Sequence, residues 1–79
     1  MATVRFFAAA AEAASVDSAA VDAATIGDLR VRLIAEYGAG FERVLALCSL
    51  LVNGARATDD AVTLTEFDTV DVLPPFAGG

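Results

Sequence analysis

The residues best placed to do chemistry in this 79-residue sequence stand at its end, in the run Leu73-Pro74-Pro75-Phe76-Ala77-Gly78-Gly79. Two prolines fix φ and favour an extended, polyproline-like exit. The last three residues carry almost no side chain. A tail of that shape can thread a narrow tunnel and deliver the terminal carboxylate of Gly79 to a reaction centre buried in another protein. Fraying is the ordinary state of a domain's last residues. The Pro-Pro exit, the apolar anchor at Phe76 and the Gly-Gly end together favour the functional reading.

Little else in the chain offers chemistry. With one cysteine and no histidine, it lacks the ligands of a tetrahedral zinc site and any Ser/His or Cys/His pair. Cys48, close to Leu47 and Leu50, reads as a small buried hydrophobe rather than a reactive thiol. Lysine is absent, which fits a compositional use of arginine and also means that no side chain here can act as an amide acceptor.

The net charge of −6 repels phosphate backbones, so nucleic acid is excluded as a partner and a basic protein surface is favoured. A hydrophobic content of 57% is high for so short a chain, so part of the apolar surface is expected to meet another protein. Val44 to Val52, the longest apolar stretch, falls well short of the roughly 20 residues of a membrane span. Arg5 followed by Phe6 to Ala11 faintly imitates a signal peptide, but Glu12 interrupts it. A cytoplasmic protein is expected.

The elements that must position the tail form one domain, residues 1–73, with 74–79 as the extended tail. Thr3 to Phe7 has the β-branched and aromatic content of a strand, and a second short strand around Val21 completes a first hairpin. Thr25 reads as a helix N-cap with Asp28 in the first turn. Ile26, Leu29, Leu33 and Tyr37 recur at helical spacing, with Val31 and Ile34 broadening the stripe, and Gly38 or Gly40 ends it. Phe41 to Leu47 suggests a short helical turn. Ser49 to Val52 reads as a buried strand entering an Asn53-Gly54 type I′ turn, with Ala55 to Ala57 returning. Asp59-Asp60 marks a turn, Val62 to Leu64 an irregular connection, and Thr69 to Leu73 the last strand. The order β-β-α-β-β-β implies an α+β fold in which the first and last strands pair at the centre of a mixed sheet of four to five strands, gripping one main helix.

On Val4-Arg5-Phe6-Phe7-Ala8 with Glu12, Thr25-Ile26-Gly27-Asp28-Leu29, Val52-Asn53-Gly54 and Asp68 through Gly79, the sequence resembles the ubiquitin-like (β-grasp) sulfur-carrier family. That family includes the small subunit of molybdopterin synthase and the thiamine-pathway carrier, and the Pro74-Pro75 pair looks more like the former. Ala11, Ser15, Phe67 and Thr69 depart from the family pattern, Phe67 in a turn and the others on expected surfaces. The resemblance implies a chain that is not catalytic alone. An activating enzyme similar to the ubiquitin E1 family would use ATP to adenylate Gly79, and a sulfur donor would convert it to a thiocarboxylate. The loaded tail would then enter a large catalytic subunit and donate sulfur to a pterin precursor of molybdopterin. Gly78 and Gly79 would carry the chemistry, while Pro74, Pro75, Phe76 and Ala77 would set the exit and grip. No bound cofactor, metal or membrane is expected. A docking patch is expected from Phe6 or Phe7, the end of the last strand and the residues around Leu50 to Val52. Thiocarboxylate donation to another pathway (thiazole, cysteine or a natural product) and use as a ubiquitin-like protein modifier are the alternatives.

Overall fold

A computed structural model describes residues 1–75. The elements run β1 (Ala2–Phe6), α1 (Ala9–Ala14), β2 (Ser18–Val21), α2 (Ile26–Tyr37), α3 (Ala39–Leu45), β3 (Ser49–Val52), β4 (Ala55–Arg56) and β5 (Thr69–Leu73). They form a five-stranded mixed sheet in the order β2-β1-β5-β3-β4, with β1 and β5 parallel and the other pairs antiparallel. This is the β-grasp arrangement expected from the sequence.

Alternation along the central strands decides which face is buried. Val4 and Phe6 of β1, Val70 and Val72 of β5, and Leu50 of β3 point to the helices and are at most 3% exposed. Ile26, Leu29 and Leu33 of α2 meet them, and Phe41 and Leu45 of α3 close the core. Phe6, Tyr37 and Phe41 form an aromatic cluster with ring centroids 5.2–5.7 Å apart, two of the pairs edge to face.

The start and stop of α2 follow their local chemistry. The Thr25 hydroxyl accepts from the Asp28 N–H at 3.1 Å, and Gly38, at φ +90°, ends the helix. Val31 lies outside the apolar stripe assigned to it and is 66% exposed. It sits two residues after Leu29, which on a helix turns it to the opposite side.

The first hairpin is not a simple one: α1 is inserted between its strands. Alanine has the highest helix propensity, but five alanines and one glutamate carry no periodicity from which a buried face could be read. Its Ala10 and Ala14 are buried against α3. Entry into α1 is strained. Ala8 takes φ 51°, ψ −124°, a conformation nearly confined to glycine, while the Ala10 N–H donates to the Phe7 carbonyl across the turn.

Two turns at the far end of the sheet are tied together through side chains. Asn53, at φ +50°, and Gly54, at φ +86°, make the predicted type I′ turn. Asn53 Nδ2 donates to Asp68 Oδ1 at 2.8 Å, while the Thr69 N–H donates to Asn53 Oδ1 at 2.9 Å. Asp68 Oδ2 accepts from the Thr65 N–H at 2.8 Å. That backbone donor, then Asn53, holds the Asp68 carboxyl below the usual carboxylate range.

Two outcomes follow from these local constraints. Ala8→Gly removes strain of about 1–3 kcal/mol against an unfolded-state entropy gain of about 0.4–1 kcal/mol. A net stabilisation of about 1 kcal/mol, read as a rise in Tm of about 4–8 °C, is expected by calorimetry. A depressed folded-state pKa means that the Asp68 contribution is complete above the unfolded-chain value and is lost as pH falls through the folded value. Urea midpoints of the parent and of Asp68→Asn should therefore differ most near neutral pH and converge in acid; a constant difference would show that the clip does not titrate.

Candidate functional site

The end of β5 positions the candidate site. Leu73 pairs with Ser49 of β3, Val72 pairs with Phe6 of β1, and the Phe7 N–H donates to the Val72 carbonyl at 3.2 Å. Beyond Leu73 stand two residues without an N–H, so the ladder cannot continue. Pro74 is half-buried and Pro75 exposed. The chain therefore leaves the sheet at its centre, between the end of β1 and the start of β3. Phe76, Ala77, Gly78 and Gly79, to which the sequence assigned the anchor and the chemistry, lie outside the described residues.

The exit is flanked by the sheet face that the helices do not cover. Thr3 and Arg5 of β1, Thr69, Asp71 and Leu73 of β5, and Ser49 and Leu51 of β3 alternate with the core residues and point to this side. Arg5 grips Asp71 with both nitrogens, Nε to Oδ1 at 2.6 Å and a terminal nitrogen to Oδ2 at 2.8 Å. Its guanidinium lies 5.8 Å from the centroid of the Phe7 ring. Hydrogen bonding to Asp71, then its charge, raises the Arg5 pKa further, so Arg5 stays a cation at any working pH.

The expected docking residues divide between the two faces. Phe6 is 3% exposed and belongs to the core, whereas Phe7 is 38% exposed beside the exit. Leu50 is core and Val52 packs against it, while Leu51 lies on the outer face. Leu47, which the sequence placed at the end of a helical turn and beside a buried Cys48, is 70% exposed just before β3. The Arg5–Asp71 pair, 66 residues apart in the chain, leaves no local signal that sequence reading could use.

Among the described residues no group of three His, Cys, Asp or Glu side chains is placed to hold a metal, and no polar or charged residue is buried. Cys48 Sγ donates to the Val44 carbonyl at 3.1 Å, and burial pushes its thiol pKa up. No described helix is long and apolar enough to cross a membrane.

Comparison with known proteins places this geometry in context. A sequence profile described as the ThiS family matches residues 4–79. The crystal structure of small archaeal modifier protein 1 from Haloferax volcanii is 27% identical over 99% of this chain and 98% of that one, with a TM-score of 0.84. The HVO 2177 protein of Haloferax volcanii is 33% identical over 99% of this chain and 85% of that one, with a TM-score of 0.73. A chain from the complex of subunits 1 and 2 of the molybdopterin-converting factor of Helicobacter pylori is 24% identical over 99% of this chain and 97% of that one, with a TM-score of 0.74, a likeness of fold. No match was found among curated protein sequences.

A thiol with a raised pKa and a bonded S–H should react slowly. Iodoacetamide labelling of Cys48, followed by mass spectrometry near neutral pH, is expected to run slower in the folded protein than in urea. Equal rates would identify an accessible thiolate.

Proposed function

The chain belongs to the ThiS family of ubiquitin-like sulfur carriers, and from that premise we propose that it carries sulfur on Gly79 as the small, sulfur-donating subunit of a molybdopterin synthase. The working parts are a β-grasp body over residues 1–73 and a delivery tail over residues 74–79. The observation that carries the reading is the ending of the central strand at Leu73, followed at once by Pro74-Pro75 and the small-residue end Ala77-Gly78-Gly79.

A free carboxylate is too poor an acyl donor to accept sulfur. An E1-like enzyme attaches AMP from ATP to the Gly79 carboxylate, releasing pyrophosphate. A sulfide-level nucleophile from a sulfur donor protein then attacks the acyl carbon. The C–S bond forms, the C–O bond to AMP breaks, and AMP leaves with its electron pair. Inside the large catalytic subunit the thiocarboxylate sulfur attacks a side-chain carbon of the pterin precursor; the C–S bond forms as a C–O bond at that carbon breaks, its oxygen leaving with the electron pair. Water then cleaves the acyl–sulfur bond and restores the Gly79 carboxylate, and two such deliveries build a dithiolene.

Each part of the described body has a place in this cycle. Phe7, Leu51 and Leu73, on the uncovered sheet face beside the exit, dock on the large subunit. Pro74 and Pro75 hold the tail extended, so little entropy remains to be lost when it enters a tunnel. Phe76 and Ala77 grip the tunnel mouth, and the absence of a side chain at Gly78 lets the chain end pass. The cations that neutralise the carboxylate and substrate phosphate belong to the partner, which an acidic carrier would attract. The same cycle can serve a thiazole, cysteine or natural-product pathway. It requires no cofactor bound to this chain and runs in the cytoplasm, where ATP and the activating enzyme meet the carrier.

The similarity to small archaeal modifier protein 1 favours one second reading, conjugation of Gly79 to amines of other proteins. Intact-mass spectrometry after incubation with the host's activating enzyme, ATP and a sulfur donor tests both. A gain of about 16 Da, one oxygen replaced by sulfur, that disappears on deleting Gly79 is the expected result. No gain with any activating enzyme would overturn sulfur carriage, and a Gly79-dependent ladder of larger conjugates would establish the modifier.

A further inference from the structure

Strand β2 is an open edge of the sheet, with no strand on its other side among the described residues. The Phe6 N–H donates to the Asp17 carbonyl at 2.8 Å, and bonded pairs alternate along an antiparallel ladder. Val4 with Ala19 and Ala2 with Val21 therefore continue the bonded set. Ser18 and Ala20, at the intervening positions, direct their N–H and C=O groups outward.

This edge lacks the usual guards. Natural edges are blunted by shortness, lysine, proline or bulges. The opposite edge, β4, is two residues long and carries an exposed Arg56. The sequence of β2, Ser18-Ala19-Ala20-Val21, offers no such obstacle.

Beside it, on the helix side of the sheet, runs an open groove of about 540 Å³ between β2 and α2. Ala19, Val21, Leu33 and Tyr37 line it, the small Ala19 leaving room, and Met1 stands at one end, 65% exposed. A strand added to β2 would send alternate side chains into this groove.

Charge selects the occupant. Asp22 and Glu36 line the groove and form no ion pair among the described residues, whereas Arg32 there is held by Asp28 at 3.1 Å. A second copy of this chain is disfavoured. Each copy carries −6, and its own β2 is flanked by Asp17 and Asp22, so it would bring acids rather than cations to the Asp22 and Glu36 of its partner.

We infer that the β2 edge and the β2/α2 groove form a second docking site, which takes an extended segment of a partner protein with alternating apolar residues flanked by arginine or lysine. The site lies at the sheet edge, away from the tail's exit, and does not depend on what Gly79 carries.

Titration of the whole chain with the peptide acetyl-Arg-Val-Thr-Val-Thr-Val-Arg-amide, followed by amide NMR, tests it. The expected result is shifts at Ser18, Ala20 and Tyr37, with slowed hydrogen exchange at the Ser18 and Ala20 amides. Ala20→Pro removes an outward donor without touching the β1 ladder and should abolish binding. The Asp22→Arg, Glu36→Arg double variant, whose ladder is intact, should bind about five- to tenfold more weakly. Equal binding of a glutamate-flanked peptide, shifts confined to the Phe7–Leu51 face, unaltered binding by the charge-reversed variant, or concentration-dependent dimers joined through β2 would each overturn the inference.

Discussion

The parallel pairing of β1 with β5 is the contact on which the rest of the molecule depends. Partners such as Arg5 and Asp71 lie 66 residues apart, so the pairing closes almost the whole chain into a loop. That closure costs about 4 kcal/mol by the logarithmic scaling of loop entropy. Each fully buried Val, Leu or Phe side chain contributes about 1.5–3 kcal/mol, so Val4, Phe6, Val70 and Val72 together exceed the cost. Because β5 is then held on both sides, by β1 and by β3, its last residue has a fixed place and direction. Pro74 therefore leaves the sheet from its central strand.

The core excludes ionisable groups. The body buries an all-apolar core with no buried polar residue among those described, and Asp28, Asp59, Asp60, Asp68 and Asp71 are engaged in caps, turns and surface ion pairs. Asp28 shows the pattern. It accepts from the Ala24 N–H and pairs with Arg32 four residues on, the backbone bond contributing most to its lowered pKa. Cys48, half-buried, likewise donates to a backbone carbonyl.

The two sides of the sheet have correspondingly different surfaces. The outer face around Arg5, Asp71, Leu51 and Leu73 is continuous with the exit of β5. The β2 edge presents main-chain groups and a shallow apolar groove instead, lined in part by acids. Affinity at such an edge comes from backbone hydrogen bonds and specificity from the side-chain pockets.

The sequence by itself determined the features whose causes are local. The Thr25 cap, the Gly38 stop, the Asn53-Gly54 turn and the Pro74-Pro75 break each act within a few residues through fixed φ values or single hydrogen bonds. For that reason α2, the β3–β4 hairpin and the exit of the tail were all readable, and alternation in Thr69 to Leu73 made the last strand readable too. The presence of α1 was not, because a run of alanines has propensity but no periodicity, and its buried side is chosen by α3. Nor was the exposure of Val31, since the width of an apolar stripe depends on what packs against it. Only the tertiary structure decided that Phe6 rather than Phe7 enters the core, that Arg5 meets Asp71, and that β2 is left open beside a groove. Those outcomes depend on which strands become neighbours, and that is set by burial summed over the whole chain.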